Sequence, residues 1–156
     1  MIFNVMNIYR ISAITLKIRD MKESCGFFSR LPGLKLTYGG EAGDTFSTFE
    51  VGQGSGMYLN LELGNNDIDP KREHGVEVSG KGKNEDFGRI IFHTESVDSL
   101  YQYMKNDEQI SEAVTFEGNP ADAPWGERFF HIREPNGYQL SFAQPISKDT
   151  KKYYCE

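Results

Sequence analysis

The sequence predicts an α+β fold of two β-α-β-β-β modules, because the chain contains one pattern twice. The segment 13–21 resembles 89–97, which begins 76 residues later. Further on, 49–61 resembles 130–142, which begins 81 residues later. A long repeat that occurs only twice is typical of one domain built from two similar modules rather than of a repeat array. We expect a curved, mostly antiparallel mixed sheet around a cleft, with the helices on its convex face.

The predicted domain boundaries follow from this repeat. Module one spans about 11–64 and module two about 88–146. Between them, 65–87 is rich in Asp, Asn, Lys and Gly, so we predict a connection there with one short strand at Gly75–Val78. The polar tail, 147–156, completes a single predicted domain of 156 residues. That length is sufficient for a hydrophobic core.

In module one, alternation and turn residues predict the elements. Apolar residues alternate with small or polar ones over 14–18, which indicates a half-buried strand. Asp20 is expected to cap a helix, with Glu23 completing a capping box. That helix should end near Pro32 and Gly33, which cannot easily continue it. Three further strands are predicted, at Leu34–Tyr38, Thr45–Val51 and Met57–Leu63.

Module two repeats this order of elements. The segment 90–94 is a predicted strand, and Ser96 is expected to cap a helix whose apolar residues recur at helical spacing. Further strands are predicted at Val114–Glu117, Arg128–Arg133 and Tyr138–Ala143. The tight turn between the last two strands contains Asn-Gly, which suits positive backbone dihedrals. Five additional residues of this module are expected around 108–122.

Composition and charge exclude several classes of function. Acidic and basic residues are intermixed, and the net charge of -6 includes no basic stripe that would indicate nucleic acid or an anionic membrane as a partner. No apolar run reaches transmembrane length, and the N-terminal residues lack a signal-peptide pattern. Cys25, in a predicted helix, and Cys155, in the tail, indicate reduced thiols rather than a disulfide framework. We therefore expect a cytoplasmic protein.

Two motifs in module two resemble those of a known family. Trp-Gly-Glu-Arg at 125–128 leads into the strand 129–133, and Glu-Pro-Asn-Gly-Tyr follows at 134–138. Together with the paired modules, these motifs resemble the vicinal oxygen chelate superfamily. That superfamily includes glyoxalase I, bleomycin-resistance proteins, fosfomycin-modifying enzymes and extradiol dioxygenases, and the likeness covers about 11–146. Because this fold hosts unrelated chemistries, the resemblance indicates the fold and not one activity.

The resemblance also implies where a metal would be held. Metalloenzymes of the family bind a divalent ion with His, Gln or Glu from the first and last strand of each module. The matching positions in this chain are Ala13, Asn60, Arg89 and Ser141. Alanine cannot ligate, a guanidinium stays protonated, and Asn and Ser are weak neutral donors. We therefore expect no metal cofactor.

Strand alternation predicts which side chains face the cleft and which face the helices. Met57 and Leu59 belong to the set expected against the helices. The predicted ligand-binding residues are Thr15, Lys17, Tyr58, Asn60, Arg89, Phe129 and Ser141, with Trp125 at the rim. An apolar wall with a few polar groups is typical of small-molecule sites. Arg89 is suited to bidentate binding of a carboxylate or phosphate, and the alternative is an internal salt bridge to Glu62 or Glu50.

Three functions remain open at this point. We favour a metal-independent protein that binds an unidentified small molecule and sequesters it, similar to the bleomycin-resistance proteins. The second is a metal-dependent lyase, isomerase or dioxygenase holding one divalent ion with His93, His131 and Glu62, although these histidines are also interpretable as ordinary strand residues. The third is a non-catalytic interaction domain. The resemblance further implies a homodimer.

Overall fold

The computed structural model describes residues 10–64 and 87–147. The chain divides into two compact units, Met1–Asp67 and Ile68–Glu156, and each carries its own sheet. The strand predicted at Gly75–Val78 lies outside the described residues. No helix in the described part of the chain is long and apolar enough to cross a bilayer.

The first unit has the predicted order of one strand, one helix and three strands. Its elements are β1 (Ala13–Ile18), α1 (Met21–Phe28), β2 (Leu34–Tyr38), β3 (Phe46–Val51) and β4 (Tyr58–Leu63). The sheet order is β1-β4-β3-β2, in which β1 runs parallel to β4 and the other neighbours are antiparallel. This arrangement confirms the predicted β-α-β-β-β module and its mixed sheet.

Helix α1 begins as the sequence predicts but ends earlier. The carboxylate of Asp20 accepts from the backbone N–H of Glu23 at 2.7 Å, which satisfies one of the unpaired donors of the first turn. The helix ends at Phe28, three residues before Leu31. Pro32 disfavours the helical conformation of the residue before it, so the chain passes into a turn there. Leu31 is nevertheless buried, as its place in the apolar pattern predicts.

The core of the first unit lies between α1 and its sheet. Leu16, Phe28 and Phe49 are completely buried, because alternate strand residues and one face of the helix meet there. Cys25 is also buried on α1, as expected. The prediction for Met57 is wrong, since this side chain is 44% exposed. Met57 lies just before β4, in the connection from β3, and therefore outside the strand to which the alternation applies.

The second unit repeats the first with two additions. Its elements are β5 (Arg89–His93), α2 (Val97–Asn106), α3 (Glu108–Ala113), β6 (Thr115–Phe116), β7 (Ala121–Asp122), β8 (Glu127–Arg133) and β9 (Gln139–Pro145). The sheet order is β5-β9-β8-β6, with β7 also paired to β8, and β5 runs parallel to β9. Helix α3 and strand β7 lie in the segment 108–122, where five additional residues are expected. The observed number is seven, because Arg89 follows Ala13 by 76 positions and Ile132 follows Phe49 by 83.

Strand register corrects one detail of the internal repeat. Leu59 pairs with Phe49 in the first unit, whereas its counterpart Leu140 pairs with Ile132 in the second. Ile132 follows Phe49 by 83 positions, so the offset of 81 is wrong for this strand by two residues. The turn between the last two strands is shorter in the second unit, and this absorbs the shift. Because a shift of two keeps every side chain on its face, the predicted facing is unaffected.

The shorter turn is closed by a buried carboxylate. Glu134 is completely buried and accepts hydrogen bonds from the backbone N–H groups of Asn136 and Tyr138 at 2.7 and 3.1 Å. The side-chain amide of Asn136 donates a third bond at 3.0 Å. Of the Asn-Gly pair, only Gly137 adopts a positive φ, at 88°. The Glu-Pro-Asn-Gly motif is therefore a structural element of the hairpin.

Candidate functional site

Each sheet has one face without helices, and these two faces carry the predicted binding residues. Helix α1 packs on β3 and β4, and α2 packs on β8 and β9. Alternation places other side chains on the opposite side, here called the first and second helix-free faces. The first comprises Thr15, Lys17, Thr48, Tyr58, Asn60 and Glu62, and the second comprises Arg89, Ile91, His93, Phe129, His131 and Ser141. Ile91, on the second face, is 60% exposed.

The first helix-free face is polar. Thr15 lies opposite Asn60 and Asn60 opposite Thr48, so the three side chains form a row across β1, β4 and β3. The Thr48 hydroxyl donates to the Asn60 carbonyl oxygen at 3.0 Å, and the Asn60 amide donates to the Thr15 hydroxyl at 3.3 Å. Lys17 forms an ion pair with Glu62 at 2.6 Å. The charge of Lys17 is therefore partly balanced by its neighbour.

The second helix-free face carries a row of aromatic rings. The rings of Trp125 and Phe129 are nearly parallel, with centroids 6.1 Å apart and planes inclined by 19°. The imidazole of His131 continues the row, with its centroid 4.9 Å from that of Phe129. Trp125 is 65% exposed, yet its indole N–H donates to a Glu127 oxygen at 2.8 Å. An exposed aromatic surface is thus held in a fixed orientation.

His131 is held by a second polar contact. Its Nδ1 lies 2.6 Å from the hydroxyl of Ser141 on the neighbouring strand. Ser141 is only 3% exposed, so the residue predicted to face the cleft lies on the expected face but beneath its neighbours. Burial lowers the pKa of the His131 imidazole, and the positive charges of Arg89 and Arg133 lower it further against the effect of Glu117. His131 is therefore neutral at neutral pH.

The cations of the second face differ in their partners. Arg133 donates to Glu117 at 2.9 Å, and the same carboxylate accepts from Gln139 at 2.6 Å. Arg89 is exposed, and no carboxylate among residues 87–147 pairs with it. Its alternative partners, Glu62 and Glu50, belong to the other unit, so that salt bridge stays a prediction. Within the described part of its own unit, the Arg89 guanidinium is available to a ligand.

The residues at the family's metal positions do not fit a divalent ion. Ala13 offers no donor and Arg89 is cationic, while the Ser141 hydroxyl is engaged with His131 and the Asn60 amide with threonines. For the alternative set, His93 Nε2 lies 3.4 Å from a carboxylate oxygen of Glu127. Among residues 10–64 and 87–147, no group of three His, Cys, Asp or Glu side chains is arranged to hold a metal.

Two carboxylates of this face are not among the predicted site residues. Glu127 orients Trp125 and lies beside His93, and Glu117 balances Arg133. The alternation that places Phe129 on the helix-free face also places Glu127 there, so the pattern contained that signal. Glu117 follows a two-residue strand, which is too short to show any alternation.

Comparison with protein families agrees with this geometry. The family model of the Glyoxalase/Bleomycin resistance protein/Dioxygenase superfamily matches residues 10–142. The chain belongs to this superfamily. The family resemblance recognised from the motifs at 125–128 and 134–138 is thereby confirmed, as is the α+β fold. No curated protein matches the chain.

Several solved structures have the same fold as this chain. A glyoxalase/bleomycin resistance protein/dioxygenase from Nocardioides is 18% identical, with 93% of this chain and 89% of that chain covered and a TM-score of 0.62. TnmS3, an antibiotic-binding protein from Streptomyces sp. CB03234, is 19% identical, with coverages of 90% and 98% and a TM-score of 0.60. A family enzyme from Burkholderia phytofirmans PsJN is 12% identical, with coverages of 86% and 98% and a TM-score of 0.60. At these identities the likeness concerns the fold alone.

Proposed function

We propose that this superfamily member binds a small molecule without a metal ion and sequesters it. The observation that supports this most is the exposed, fixed surface of Trp125 beside Phe129. Exposed aromatic surface costs free energy in water, and pockets for small molecules are lined mainly by such surface with a few polar groups. Because Glu127 already orients the indole, a ligand stacking on it would lose little side-chain entropy.

The proposed binding residues lie on both helix-free faces. On the second face, Trp125 and Phe129 provide aromatic surface, Arg89 provides a cation, and Ser141 acts by holding His131. On the first face, the proposed ligand contacts are Thr15, Lys17, Tyr58 and Asn60. Tyr58 is 37% exposed, and the other three carry polar groups at the surface of the sheet or just below it.

Metal independence rests on the chemistry of the donors. None of the four side chains at the family's metal positions is an imidazole, carboxylate or thiolate, which transition metals and zinc require. A structural neighbour is described as an antibiotic-binding protein, and this supports a binding function for the fold without assigning a ligand. We further propose that the protein is a cytoplasmic homodimer, as its cysteines and its family suggest.

The single tryptophan of this chain provides a direct test. We would record the Trp125 indole N–H signal by NMR during titration with aromatic and aliphatic compounds of each charge, in the presence of a chelator. Aromatic compounds are expected to shift the signal in the wild type, and a Trp125→Ala variant is expected to bind them more weakly by calorimetry. Tyr103→Ala is the matched control, because Tyr103 is an exposed aromatic residue on helix α2. Its affinity should equal that of the wild type.

Two results would contradict the proposal. If no compound moves the indole signal, the second helix-free face is not a small-molecule site. If compounds bind only after a divalent metal is added, the protein is metal-dependent, and His93, His131 and Glu62 become the first ligands to mutate.

A further inference from the structure

We infer that the second helix-free face selects a planar aromatic anion, with its rings on Trp125 and Phe129 and its anionic group at Arg89. This inference rests on the proposed binding function and adds the chemical class of the ligand. It depends on three features of the second unit, which are the aromatic row, the distribution of its charges and the spacing of its strand rows.

The aromatic row favours a flat ligand. Trp125 and Phe129 are stacked with their planes inclined by only 19°, so the exposed indole presents a flat apolar surface that Phe129 supports. His131 adds a neutral ring on the side of Phe129 away from Trp125, and this ring is tilted by 40° from that of Phe129. Aromatic rings prefer offset-stacked or edge-to-face contacts, which a fused ring system makes better than a branched aliphatic group.

The charges of the face favour an anion at one end. Arg133 is balanced by Glu117. Arg128, which alternation places on the opposite side of β8, is bound by Asp98 of α2 and by Asp122. On this face, Arg89 is the cation that no carboxylate of 87–147 balances; Lys105, on α2, lies over the rings of Tyr101 and Phe116 instead. Its charge also reaches His131, since it contributes to the lowered pKa of that imidazole. A guanidinium binds carboxylate, phosphate or sulfonate oxygens through two parallel hydrogen bonds.

The opposite end of the face repels an anion. Glu127 lies there, hydrogen-bonded to Trp125 and close to His93. An anionic ligand stacked on Trp125 is therefore oriented with its charge directed away from Glu127 and toward Arg89. This polarity also disfavours ligands that carry negative charge at both ends.

Strand register gives the separation between the two contacts. Arg89 lies in the row of Gln139 and Arg133, whereas Phe129 lies four residues from Arg133 along β8. Four residues of a strand span about 13 Å, and β5 lies two strand spacings of about 4.8 Å from β8, so the backbones of Arg89 and Phe129 are about 16 Å apart. The long side chain of Arg89 shortens this distance. The anionic group must therefore lie at the end of the ring system, and fused two-ring or three-ring ligands should bind better than a single ring.

A set of probes of matched shape tests this class. We would titrate the whole protein by calorimetry with 2-naphthoate, 2-naphthylmethanol, 2-naphthylmethylammonium and cyclohexanecarboxylate. Naphthoate is expected to bind roughly 10- to 100-fold more tightly than the neutral alcohol, the ratio typical of one charge-assisted hydrogen-bonding contact. The cation and the aliphatic acid should bind more weakly than naphthoate.

Two variants connect this preference to Arg89. Arg89→Gln should reduce the preference for naphthoate over the alcohol to nearly none, and Arg89→Lys should retain part of it because the charge remains. Lys22→Gln, which removes one positive charge from the exposed surface of α1, should leave it unchanged.

Each contrary outcome has a distinct meaning. If the alcohol or the cation binds as tightly as naphthoate, or if Arg89→Gln keeps the preference, the ligand class is wrong while the binding function stands. If none of the four probes binds but other compounds shift the Trp125 signal, the class is again wrong. If nothing binds, the proposed function fails as well.

Discussion

Neighbouring residues determine what His131 can do. The Ser141 hydroxyl fixes one ring nitrogen, so the other nitrogen and the ring face remain for a ligand. Burial and the nearby Arg89 keep the ring uncharged. A neutral imidazole lies tilted against the Phe129 ring and carries no charge that would have to be desolvated when a ligand covers it.

This environment predicts how His131 titrates. Its pKa should lie below the usual value of about 6.5, because burial and positive neighbours disfavour the proton. On acidification, the unfolded chain then takes up this proton at higher pH than the folded protein does. His131 should therefore lower stability as pH falls from about 6.5 toward its folded pKa, and it should have no effect above that range.

An NMR titration of the imidazole signals measures this pKa directly. In Arg89→Gln the His131 pKa should rise, because one positive charge is removed, although burial should still keep it below the usual value. A wild-type His131 that titrates at or above the usual value would contradict the burial and charge environment described here.

At the residue scale, the sequence predicted which side of the sheet a strand residue occupies, but not which side chains it contacts. Alternation alone placed Phe129 and His131 on the face away from the helices, because a strand's side chains must alternate. It did not predict that Ser141 would be buried beneath His131 or that Glu127 would bind Trp125. Those contacts depend on side-chain rotamers and on the register between neighbouring strands. The sequence of a single strand specifies neither of these.

At the scale of elements, Asp20 alone was sufficient to predict where α1 begins. Asp20→Ala should lower the free energy of unfolding by about 1 kcal/mol, because the Glu23 N–H loses its acceptor. Urea denaturation of the variant and the wild type measures this difference. Lys22→Ala, an exposed substitution in the same turn, should cost much less. Equal effects of the two variants would mean that the cap contributes nothing beyond helix propensity.

Element boundaries failed where tertiary pairing decides them. The repeat in the sequence aligned Phe49 with Phe130, whereas the register aligns Phe49 with Ile132. Turn length fixes the register of a hairpin, and the shorter Glu-Pro-Asn-Gly turn moves the pairing by two residues. The end of α1 before Leu31 has a local cause instead, because Pro32 disfavours the helical conformation of the residue before it.

At the scale of the whole molecule, the fold and the residues at the family's metal positions lead to different conclusions. The fold is shared with enzymes, whereas those residues are unsuited to a metal ion. The chain has the fold of a superfamily that includes enzymes, and the repeat and motifs were sufficient to predict this. Its residues at the family's metal positions are Ala13, Asn60, Arg89 and Ser141, which the sequence also gives directly. What could not be predicted from the sequence is how these residues are engaged, since their partners come from other strands.

The last prediction concerns the metal content of the intact protein. Elemental analysis after dialysis against a chelator should find far less than one divalent ion per chain. The thermal unfolding midpoint should be the same before and after dialysis. A metal bound tightly only to the folded state would add about 4 kcal/mol at a thousand times its dissociation constant, so its removal would lower that midpoint clearly. One retained ion per chain, lost in a His93→Ala/His131→Ala double variant, would establish a metal site that uses these histidines despite the unsuitable residues at the family positions.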